Sequence, residues 1–124
     1  MRGVENLVSM RKSGLKPSAV WVEMLPMQKW THQYTEQADR WVDIHLSSKD
    51  VAAIELADLR CLIGLTAIVC GPNDDSTEKV ARACFAAGAK VVQAVFHDIS
   101  NPYNIKTVKG LRISAEGEKT VWQQ

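Results

Sequence analysis

The chain is expected to fold as a single α/β domain, a three-layer αβα sandwich with a mostly parallel central sheet and a C-terminal β-hairpin. Three observations point there. Helix-like and strand-like stretches alternate four times between residues 4 and 96. Two apolar runs, 65–70 and 91–96, bracket a helical stretch that opens on a turn-rich corner and stops at Gly88. After residue 98 the pattern changes to two short alternating runs around Ala115-Glu116-Gly117-Glu118, the signature of a hairpin. One domain therefore spans 1–124, with an α/β core over 1–98 and a loop-and-hairpin tail over 99–124.

Val4, Leu7 and Val8 have helical spacing, Arg11 and Lys12 suit a last turn, and Gly14 and Pro17 end the helix. Residues 18–25 carry the compact apolar run Val20-Trp21-Val22 and read as a strand. In 26–41, Met27, Trp30, Tyr34, Ala38 and Trp41 form one stripe of an amphipathic helix opened by Pro26. Trp30 and Tyr34 on that stripe are candidate partner-surface residues, since both ring types recur at interfaces.

Residues 41–46 alternate strictly, as a strand with one wet face near a sheet edge does. Ser47 and Ser48 can cap a helix running to about Ile63 and closed by Gly64. Residues 65–70 hold almost no polar side chain and belong in the middle of a parallel sheet. The next helix carries a narrow stripe of Val80, Ala83, Cys84 and Ala87. Asp75 is expected as its N-cap, in a capping box with Glu78.

Composition excludes more than it selects. With 46% hydrophobic and 23% charged residues the chain has the makeup of a globular protein. A net charge of +1 leaves no global footprint for nucleic acid. The hairpin charges Lys106, Lys109, Arg112 and Lys119 read first as solubilising a sheet edge, and a nucleic-acid ribbon is the less favoured reading because only Tyr103 and Trp122 accompany them. Cys61, Cys70 and Cys84 form no C-x-x-C pair and read as reduced core thiols, which points to the cytoplasm. The first residues lack the apolar run of a signal peptide, and no apolar stretch is long enough for a membrane span.

If the four strands are parallel, their carboxyl ends bring polar residues to one rim, where open sheets bind ligands. These are Glu23, His45, Asn73, Asp74, Asp75, His97 and Asp98. Glu23, Asp74, Asp75, His97 and Asp98 are the candidate metal ligands. Gathered carboxylates favour Mg²⁺, and the histidines would admit zinc. Helix capping and ordinary loop polarity account for the same residues without a metal. An anion cradle is disfavoured, because Gly71-Pro72-Asn73-Asp74-Asp75 has one glycine, a proline and two carboxylates. No catalytic nucleophile with its base can be assembled.

Val20-Trp21-Val22-Glu23, the acidic stretch Asn73-Asp74-Asp75 and the alanines 81, 83 and 87 before Gly88 resemble the Toprim domain of primases, topoisomerases and related nucleases. The resemblance covers residues 18–98. It implies a Mg²⁺-dependent phosphodiester enzyme using Glu23, Asp74 and Asp75, with His97 or Asp98 assisting. Asn73 at the first acidic position and Met24 where the family has glycine imply instead a degenerate member. The preferred expectation is accordingly a non-catalytic binding or accessory module. It would act on a protein partner or a second copy through the 26–41 segment or the hairpin.

Overall fold

The computed structural model describes residues 4–14, 19–24, 41–46, 59–101 and 103–123. Helix α1 (Val4–Lys12) leads into β1 (Ala19–Met24) and β2 (Trp41–Leu46). A 3-10 turn (Arg60–Leu62) precedes β3 (Thr66–Pro72), helix α2 (Asp75–Ala86) and β4 (Val91–Asp98). The chain closes with β5 (Lys106–Ser114) and β6 (Gly117–Gln123).

All six strands share one mixed sheet in the order β2-β1-β3-β4-β5-β6. β2, β1, β3 and β4 run parallel to one another. β5 and β6 are antiparallel additions beyond β4. The expected mostly parallel sheet with an appended hairpin is therefore one mixed sheet, in which the hairpin extends the core sheet through β4. Local side-chain bonds flank the reversal between β4 and β5. Asp98 Oδ1 accepts from the Ser100 amide at 3.0 Å, and Asn101 Oδ1 accepts from the Tyr103 amide at 3.0 Å.

Strand register fixes which side chains share a face, because partners in register point the same way. Val20 and Val22 lie beside Ala67 and Val69, these beside Val92 and Ala94, and these in turn beside Ile113 and Leu111. Together with Met24 and Phe96 they form one buried face of a single apolar cluster. That face is packed by Leu7 of α1, Leu62 of the 3-10 turn, and Val80, Ala81 and Cys84 of α2. At its margin the Lys109 ammonium sits 4.4 Å from the centre of the Phe96 ring. The Arg11 guanidinium ties α1 to the 3-10 turn by donating to the carbonyls of Cys61 and Ile63, at 3.1 and 2.7 Å.

Helix ends follow the sequence in part. Gly14, Gly64 and Gly88, each expected to stop a helix, all have positive φ. The N-cap of α2 is Asp74, not Asp75. Asp74 has extended backbone and its carboxylate accepts from the Ser76 amide at 2.9 Å. Counting from Asp74 puts Thr77, not Glu78, at the third helical position, so the expected capping box is not formed. Glu78 instead pairs with Arg82 one turn on, at 2.7 Å. The amphipathic helix expected over 26–40 and most of the helix expected before Gly64 lie outside the described residues. No helix among the described residues is long and apolar enough to cross a membrane.

Candidate functional site

The carboxyl ends of β1, β3 and β4 lie side by side, and alternation sends Glu23, Cys70 and His97 to the second face, away from α1 and α2. Glu23 is in register with Cys70, and His97 with Pro72 two residues further along β3. All three are buried, at 2%, 1% and 1% exposure. Burial pushes the His97 imidazole down to about 4, so it is neutral at neutral pH. Burial first, and the Glu23 charge second, push the Cys70 thiol up to about 12. Cys84 is raised to about 12 by burial and by Cys61. Neither thiol supplies a thiolate nucleophile at neutral pH.

The corner after β3 is built for packing. The Asn73 amide donates to the His97 carbonyl at 2.8 Å, and the Asp74 amide to the Pro72 carbonyl at 2.9 Å. The Thr77 hydroxyl, fully buried, donates to the same Pro72 carbonyl at 2.5 Å. Gly71 is what lets α2 close down here: a Cβ on it would lie 2.6 Å from the Met24 sulfur and would also strike the Thr77 side chain.

Glu23 and His97 thus belong to the buried second face, while Asp74, Asp75 and Asp98 are exposed. Asp74 is engaged as a helix cap. Asp98 is held below the usual carboxylate range by its hydrogen bonds from Ser100, with Lys106 adding to the effect. Among the described residues no three His, Cys, Asp or Glu side chains are grouped to hold a metal. The five candidate ligands, all described, therefore do not assemble into such a group. Trp30 and Tyr34 lie outside the described residues.

A second region was signalled in the sequence only by its scattered charges. Gln93, Arg112 and Lys119 are directly opposite one another across β4, β5 and β6. In the neighbouring row Val95, Gly110 and Trp122 are likewise opposite. Both rows lie on the second face, since Ala94, Leu111 and Ile113 occupy the first. Gln93, Arg112 and Lys119 are exposed there. The Trp122 indole lies over Gly110: a Cβ on that glycine would be 2.5 Å from Nε1 and 2.8 Å from Cε2. A glycine in one strand giving room to an aromatic ring from the next is a recognised sheet device. Trp122 retains 38% exposure and Val121, the extra residue of a bulge beside it, 55%. On the first face, Glu118 pairs with Arg82 and braces the hairpin against α2.

Comparison with family models, with curated proteins and with solved structures yields no match to this chain.

Proposed function

We propose that this chain is a non-catalytic binding or accessory module that works through the hairpin closing its sheet. One observation carries the reading: the antiparallel half presents an uncovered second face bearing Trp122, and β6 is exposed along its whole length. At the parallel rim, by contrast, Glu23 and His97 are buried, Asp74 is engaged as a helix cap, and the Cys70 and Cys84 thiols are protonated. Free Cys61, Cys70 and Cys84 fit a reducing, cytoplasmic setting. Burial of Trp21, Glu23 and Cys70 on the second face supports a further layer there, completing an αβα sandwich over the parallel half.

The test is partner capture with the tagged full chain. Trp122→Ala is expected to release whatever wild type retains, while the chain still melts cooperatively with at most a small loss of stability. Release only by Trp30→Ala or Tyr34→Ala would move the working surface to the 26–41 segment and defeat the hairpin reading.

The adjacency of β1 and β3 favours a second reading, a Toprim-like Mg²⁺-dependent phosphodiester enzyme. Glu23 and the Asp74-Asp75 corner then leave neighbouring parallel strands. A divalent ion bound only by the folded state raises the melting temperature. A rise with Mg²⁺ or Mn²⁺ in wild type that is absent in Glu23→Gln and Asp75→Asn would establish this reading over the first.

A further inference from the structure

We infer that the uncovered face of β4, β5 and β6 binds single-stranded nucleic acid, one or two nucleotides at a time; this rests on the hairpin being the working surface and names what it takes. The charges come first. Arg112 and Lys119 are directly opposite each other, and like charges so placed repel. Neither takes part in an ion pair among the described residues. No strand residue on that face of β3 to β6 is acidic: the nearest carboxylate on β6, Glu118, points to the first face and is taken by Arg82. An anion laid across the row relieves the repulsion, and a phosphate serves both cations.

Trp122 distinguishes a nucleotide from any other anion. Its ring lies against Gly110, and the residue as a whole is 38% exposed. It therefore offers a supported π surface, one row from the two cations. Rows on one face are two residues apart, roughly 7 Å. A base stacked on Trp122 thus keeps its own phosphate within reach of Arg112 or Lys119. Gln93, at the end of the cation row, offers an amide that can both donate to and accept from a base edge. Acidic peptides and anionic lipid headgroups satisfy the cations but leave the ring unused. The three-strand width is only about 10 Å. That size, with a single aromatic ring, suits an unpaired strand, whose bases are free to stack.

The experiment is fluorescence anisotropy of labelled short oligo(dT) and oligo(rU) titrated with the full chain at low salt. Binding is expected, with a slope of log affinity on log salt of about −1.4 for two phosphate contacts. Trp122→Ala should weaken it on the order of tenfold, as loss of one stacked base does. Trp122→Phe should retain most of it. Arg112→Glu with Lys119→Glu should abolish it, and the paired Gln substitutions, which remove both charges without adding new ones, should do nearly the same. Each variant is checked by its melting curve. No anisotropy change with either oligonucleotide overturns the inference, as does binding indifferent to these substitutions. If a poly-glutamate peptide or phosphatidylserine vesicles bind through Arg112 and Lys119 while the oligonucleotides do not, the nucleic-acid inference falls and the hairpin module stands. If no probe binds and partner capture is also indifferent to Trp122→Ala, both fall.

Discussion

The two halves of the sheet solve the same packing problem differently. In the parallel half every residue of β1 is buried, and the polar groups Glu23 and His97 are buried with it. In the antiparallel half only the face under α2 is closed, and β6 is exposed throughout. Parallel strands need cover on both faces, whereas antiparallel ones tolerate water on one. The first half is closed where β1 lies, and the second leaves one face open. A polar residue at the rim of the scaffold is thus a weaker functional signal than a modest aromatic and two cations on the open face.

Core truncations should separate the halves most widely. Phe96→Ala removes a ring from the closed face and is expected to cost about 3–5 kcal/mol. Trp122→Ala, at the open face, should cost less than about 1 kcal/mol, since surface substitutions are usually small. Urea melts of both variants check this, and equal losses would erase the distinction.

The pH response should come from the closed half. The His97 pKa is about 4 in the fold against an ordinary 6.5. Between these values the unfolded chain binds a proton that the folded chain does not. Stability is therefore complete above about 6.5 and is lost as pH falls toward 4, by on the order of 2–3 kcal/mol. His97→Gln should flatten this part of the profile. An unchanged slope would show that other groups carry it.

Two glycines offer a matched pair. Gly71→Ala forces a methyl against Met24 and Thr77, both buried, and should cost about 1–3 kcal/mol. Gly110→Ala meets the Trp122 ring first, and that ring can swing into solvent, so its effect on melting should be slight. It should instead raise the accessibility of Trp122 to a fluorescence quencher. The smallest of these effects on stability in the closed half is expected from Asp74→Ala. It removes the α2 cap and should cost about 1 kcal/mol, while Asp75→Ala leaves the cap intact.

The βαβ unit was legible because its determinants are local: two apolar runs, a corner and a stop at Gly88. The hairpin was legible from alternation around Ala115-Glu116. Its attachment to β4 was not, because pairing such as Val92 with Ile113 depends on long-range register that no local pattern encodes. Asp74, not Asp75, caps α2 because both are suitable and the choice falls to the backbone, which is still extended at Asp74 and helical from Asp75. Arg112 and Lys119 were visible as charges in the hairpin. That Trp122 shares their face, one row on and laid over Gly110, required the bulge at Val121, which resets the pairing between Leu111 and Gly110.

The most direct test of the division between scaffold and open face is a nuclear magnetic resonance titration of the labelled chain with short oligo(dT). Shifts should gather at Gln93, Arg112, Lys119 and the Trp122 indole, with Glu23, Asp74, Asp75 and His97 unmoved. Shifts gathered at those four rim residues, with the open face silent, would contradict it.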